Sequence, residues 1–178
     1  VALATGMIFA KVSRPQSSVL FSDKMVLTTR HGKRTLMLRA GNARGNEVVD
    51  ASVTVTVIKE EISVEGHHLR VLHDLELMRA RTPMFAMSWS IMHEIDAHSP
   101  LADVNWDRPD DSIMMFIVTL MGHDGTYGMT TYSRHIYYPD AVHLNERFVD
   151  VISQLEDGRM LVDYGKFHDT VSDTPHEE

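Results

Sequence analysis

Val48 to Lys59 reads "VVDASVTVTVIK". Val49, Ala51, Val53, Val55 and Val57 occupy every second position, with Asp50, Ser52, Thr54 and Thr56 between them. A period of two in β-branched residues predicts a strand with one face buried and the other wet. Such half-buried strands belong to antiparallel sheets, since parallel ones are covered on both faces.

The same period recurs on either side. Upstream, "RTLMLRA" sets Leu36, Leu38 and Ala40 against Met37 and Arg39. Downstream, "HLRVLHDLELMR" sets Leu69, Val71, Leu75 and Leu77 on one side. "SIMMFIVTLMG" is apolar throughout, as expected of a strand covered on both faces. Turn signals punctuate these runs. Gly32 in "RHGKR" and Asp157-Gly158 between "RFVDVISQL" and "RMLVDYG" read as hairpin turns. Roughly eight to ten short strands, spaced about ten residues apart, predict an all-β sandwich. Ser99 to Ser112, with Pro100 and Pro109, reads as a long loop with room for a short helix. The chain from Thr170 onward is polar and is expected to fray.

Composition narrows the function. The 178 residues carry 17 basic and 25 acidic side chains, a formal charge of -8, and no cysteine. Disulfides, thiolate metal sites and cysteine nucleophiles are therefore excluded. An acidic chain repels phosphate backbones, so no nucleic-acid partner is expected. The segment "VALATGMIFA" is apolar and uncharged, and Lys11 and Arg14 follow it. It is shorter than the roughly 20 residues a membrane helix needs. Apolar residues followed by basic ones match the cytoplasmic end of such a helix, with the upstream part lying before Val1. A short buried N-terminal helix fits the segment equally well.

"HEIDAH" gathers His93, Glu94, Asp96 and His98 within six residues. On a strand, Glu94, Asp96 and His98 would share a face and suit a hard or borderline metal. Ser99-Pro100 ends the strand there, and no helical H-E-x-x-H spacing is present. Asp96 and Ser99 capping a turn is the expected role. No nucleophile elbow, phosphate loop or Ser-His-Asp pattern occurs.

Six strings in order carry a resemblance: "FAKVSRP", "LFSDKMVL", "TLMLRAGNAR", "FAMSWSIMHEIDAHSPL", "GHDGTYGMTTYSRHIY" and "VDYGKFHDT". Together they resemble the cytoplasmic, C-terminal domain of inward-rectifier potassium channels, most closely the prokaryotic branch. The resemblance implies an immunoglobulin-like β-sandwich over residues 14–170. It further implies a stub of the inner transmembrane helix over 1–13 and a disordered tail over 171–178. Its expected setting is the cytoplasmic side of the inner membrane, as a homotetramer under its own transmembrane pore domain. The family role is ion conduction and gating, not catalysis.

What the resemblance implies residue by residue is specific. Asp50 matches an acidic position lining the cytoplasmic vestibule, where four copies would concentrate potassium, and magnesium or polyamine blockers. Gly122, His123, Gly128 and Met129 fall in the string that forms the narrow loop at the vestibule's membrane end. Met121 departs from the pattern, since many eukaryotic relatives carry a second acidic residue there. Lys11 and Arg14 match basic positions meeting anionic lipid headgroups, and Arg44 matches a further position of the lipid response. Gln16, Ser17 and Ser18 replace a basic run of the eukaryotic relatives. No cofactor is expected; potassium is the permeant ion. Two other functions fit the residues without the resemblance: a free-standing β-sandwich that binds a protein, and a metal-dependent enzyme using His93, Glu94, Asp96 and His98.

Overall fold

A computed structural model describes residues 19–126 and 128–173. Lys11, Arg14, the expected helix stub and residues 174–178 lie outside the described residues. The described residues form an all-β sandwich of two five-stranded sheets, with two small two-stranded ribbons.

The first sheet holds β1 (Val19–Phe21), β2 (Met25–Arg30), β3 (Lys33–Asn42), β7 (Ser88–Glu94) and β10 (Val142–Leu144). β2 and β3 form a hairpin whose turn residues His31 and Gly32 both take positive φ, 48° and 76°. Two left-handed residues are what a two-residue turn needs to match the strand twist.

The second sheet holds β4 (Val48–Ile62), β5 (His68–Asp74), β6 (Arg81–Phe85), β8 (Ile113–Asp124) and β9 (Met129–Tyr137). β4 is its spine. One edge of β4 pairs with β8 along its length, and the other pairs with β6 near Ala51 and with β5 beyond Thr56. Between the sheets, Leu36, Leu38 and Ala40 of β3 meet Val53, Val55 and Val57 of β4 and Phe116, Val118 and Leu120 of β8 in one core cluster.

Three expectations need correction. The alternation along β4 is not continuous. A bulge at Asp50 and Ala51 buries Val48 and Ala51 while leaving Val49 half-exposed. β8 is not covered on both faces, because Met121 stands 44% exposed and Ile117 and Thr119 are half-exposed. Arg39 does not face water: it is 5% exposed, beneath the C-terminal segment.

That segment runs through β11 (Glu146–Phe148), β12 (Ile152–Gln154), β13 (Met160–Val162) and β14 (Thr170–Ser172). β12 and β13 are the hairpin expected around Gly158. β14 pairs antiparallel with β11, so order extends past the expected fraying point at Thr170. Phe167 packs so closely on β3 that a Cβ added at Gly41 would sit 2.7 Å from its ring. The Arg39 guanidinium lies over Phe148 and Phe167, at 4.7 and 5.6 Å, and donates to the carbonyls of Val149 and Phe167. A buried cation persists only with such partners.

Candidate functional site

The bulge in β4 organises one end of the second sheet. Val49 pairs with His123 and Ser52 with Met121, so Asp50 and Ala51 together oppose Gly122. Two residues facing one kink the strand and re-aim a side chain. Asp50 accommodates this at φ 48°, a left-handed value that aspartate tolerates better than most residues. Gly122 is required opposite it. A Cβ there would lie 2.6 Å from Val48 Cγ1 and 3.3 Å from the Ala51 Cα.

The Asp50 side chain is 59% exposed, and its carboxylate accepts from Arg81 Nη2 at 2.9 Å. Arg81 pairs with Ser52, and Ser52 with Met121, which in turn pairs with Tyr132. Directly opposed residues share a face. Arg81, Ser52, Met121 and Tyr132 thus form one row on the outer face, with the Asp50 carboxylate at its end. The sequence reading passed over Arg81; the only signal it offered was two cations, Arg79 and Arg81, at the mouth of a short strand.

Gly122 and His123 lie within β8 and Met129 begins β9; the connection between the strands contains Gly128. Asp124 anchors this connection. It is 6% exposed, accepts from Thr126 N and Asn46 Nδ2, and its carbonyl accepts from Gly128 N. Gly125 N donates to the Glu47 carbonyl at 2.8 Å. His123 and Met129 are exposed, and the Thr130 hydroxyl reaches His123 Nδ1 at 3.4 Å.

Arg44 is exposed on the loop between β3 and β4. Asn42 shapes that loop, accepting from Arg44 N and donating to the Asn46 and Phe85 carbonyls. Through Asn46–Asp124 and Gly125–Glu47, the Arg44 loop is joined to the Gly128 turn. The structure therefore brings Asp50, Gly122, His123, Gly128, Met129 and Arg44 to one end of the sandwich.

The "HEIDAH" stretch works differently. The Glu76 carbonyl can only accept, so His93 Nδ1 donates to it at 2.7 Å, while Nε2 meets the Ser99 hydroxyl at 2.7 Å. Asp96 accepts from His98 N and Ser99 N, and these hydrogen bonds hold its carboxyl below the usual range. Glu94 pairs with Lys33 across the sheet. The turn-capping role expected of Asp96 and Ser99 is the observed one. A concavity of about 400 Å³ lies beside it, lined by Asp74, Glu76, His93, Asp96 and His98 among others. No group of three or more histidines and carboxylates poised for a metal occurs among the described residues.

One sheet covered by its own C-terminal segment, and a second with a charged bulge at one end, define a β-sandwich domain built around a rim. Residues 19–178 match the family described as "Inward rectifier potassium channel C-terminal domain", and the chain belongs to that family, one of ion channels rather than enzymes. It is 40% identical over 169 residues to the inward rectifier potassium channel Kirbac3.1 of Paramagnetospirillum magnetotacticum, covering 95% of this chain and 57% of that one. It is 36% identical to the G protein-activated inward rectifier potassium channel 1 of Homo sapiens, over 95% of this chain and 35% of the relative. Against the human ATP-sensitive inward rectifier potassium channel 11 the identity is 33%, over 96% and 45% respectively. The chain thus spans about half the length, or less, of these relatives. No helix among the described residues is long and apolar enough to cross a membrane.

Proposed function

We propose that this chain is the cytoplasmic pore and gating domain of a homotetrameric inward-rectifier potassium channel, set on the cytoplasmic side of the cell's inner membrane. The observation that carries this is the outer face of the second sheet. Met121, Tyr132, Ile136 and Leu72 stand exposed there, with Asp50 at the rim. Exposed apolar groups on one face of a folded domain mark a contact surface, and four copies meeting around an axis would cover part of it. Four Asp50 carboxylates would then face a shared hole and raise the local potassium concentration. Magnesium and polyamines would meet the same ring, held as tightly as its net charge allows.

Gating in this reading acts at Gly128 and Met129, where four turns converge and a Met side chain excludes water. The stimulus is anionic lipid at Lys11, Arg14 and Arg44. Each such juxtamembrane cation contributes about 1 kcal/mol at an anionic surface. Arg44 is the one whose route inward is visible, through Asn46 and Asp124 to the Gly128 turn. Residues 1–13 would join the domain to its own transmembrane pore domain.

The test is rubidium uptake by anionic liposomes reconstituted with the full-length protein. Uptake above that of empty vesicles is expected, with Met129→Gly raising it several-fold. Uptake equal to empty vesicles would overturn the channel reading, and an unchanged Met129→Gly would remove Met129 from the gate.

A further inference from the structure

The acidic rim carries its own counterion. We propose that Arg81 tunes the cation path by cancelling the charge of Asp50 within each protomer, so that multivalent cations bind the rim weakly. The proposal rests on the channel reading above and names the residue that sets its response to magnesium and polyamines.

The geometry is built rather than incidental. Val49 pairs with Met84 and Ala51 with Thr82, which places Pro83 across from Asp50. Pro83 has no N–H to offer the bulge, and the neighbouring pairings hold β6 in register. Val53 N donates to the Ala80 carbonyl at 2.8 Å, immediately before Arg81. Backbone bonds on both sides of the bulge therefore fix where Arg81 starts. From there its guanidinium reaches Asp50 at 2.9 Å.

Stability does not explain the pair. Both side chains are mostly exposed, 71% for Arg81 and 59% for Asp50, and exposed pairs contribute little to folding. The consequence is electrostatic and multiplies with copy number. Four unpaired aspartates facing one hole would sum to a strongly negative ring, whereas four Asp50–Arg81 pairs sum to none. Further along the row, Ser52 and Met121 add no charge to restore the field. Attraction for a cation scales with its valence, so neutralising the ring weakens magnesium and polyamine binding far more than potassium entry.

The experiment measures half-block of rubidium flux by magnesium and, separately, by spermine in liposomes bearing the full-length protein. Wild type is compared with Arg81→Gln, Arg81→Lys, Asp50→Asn and the Arg81→Gln/Asp50→Asn double variant. Arg81→Gln is expected to lower the half-blocking concentration about tenfold or more, and Arg81→Lys to stay near wild type. Asp50→Asn alone, which leaves four unpaired cations at the ring, is expected to weaken block, and the double variant, again without net charge there, to return near wild type. Were Asp50→Asn to weaken block while Arg81→Gln left it unchanged, the pairing would be wrong and the channel reading would stand. A double variant that kept the tight block of Arg81→Gln would show that Arg81 offsets no charge of Asp50, which also overturns the pairing. If no variant altered block or flux, Asp50 would lie off the cation path, and both the tuning and the vestibule assignment would fall together.

Discussion

The two sheets of this sandwich treat their outer faces in opposite ways. On the first sheet, the chain's own C-terminal segment covers β2 and β3. Val26, Val151 and Phe167 are buried there, apart from the main core, and Arg39 is clamped beneath Phe148 and Phe167. On the second sheet nothing among the described residues plays that part, and Met121, Tyr132 and Ile136 remain exposed. A face completed within the chain needs no partner. A face left apolar and open offers contact to one, in line with the four-copy assembly proposed above.

The comparison breaks most easily at Arg39. Arg39→Ala would strip two carbonyls of their donor and empty the space between two rings, at an expected cost of about 3 kcal/mol. Hydrogen exchange should then rise across 146–173 before it rises in β4 and β8. Uniform loss of protection would show that the C-terminal segment and the core unfold as one unit, and the contrast between the faces would lose its energetic meaning.

A smaller effect is expected at the bulge. Gly122→Ala forces a Cβ against Val48 and Ala51, and overpacking of this kind costs about 1–3 kcal/mol. Chemical denaturation checks it. A change within about 0.5 kcal/mol, the range of ordinary surface substitutions, would mean that the bulge at Asp50 relaxes freely.

The smallest effect sharpens the covered face through pH. The Thr170 hydroxyl, and after it His143, holds the Glu146 carboxyl below its usual range. A carboxyl depressed on folding stabilises the fold above its unfolded value, about 4.3, and that contribution fades as pH falls through the lower folded value. Because Glu146 is only partly covered, the gain is slight. Thr170→Val should raise the pH at which β11 and β14 lose protection; an unchanged profile would show that Glu146 does not hold the ribbon.

Much of this was legible in one dimension, for a stated reason. Period-two patterning follows from alternating Cβ directions, so Leu36, Leu38 and Ala40, and Val53 to Val57, could be assigned to a core without coordinates. Hairpin turns at Gly32 and Gly158 were equally local, since left-handed φ leaves a mark on residue choice. The ordered strings from "FAKVSRP" to "VDYGKFHDT" pointed to the family that residues 19–178 then matched. What misled was the assumption that local pattern reports local environment. Arg39 looks solvent-facing, yet it lies under residues more than a hundred positions away.

Composition and periodicity alone were enough to establish an acidic, cysteine-free antiparallel sandwich, because hydrophobic alternation and turn geometry are properties of neighbouring residues. Folding in three dimensions decided the rest: the bulge that aims Asp50, the arginine that meets it, the link from the Arg44 loop to Gly128, and which sheet face stays open. Each depends on strands that are distant in the chain arriving in one register, and backbone pairing across a sheet is a long-range choice that no short window of residues encodes.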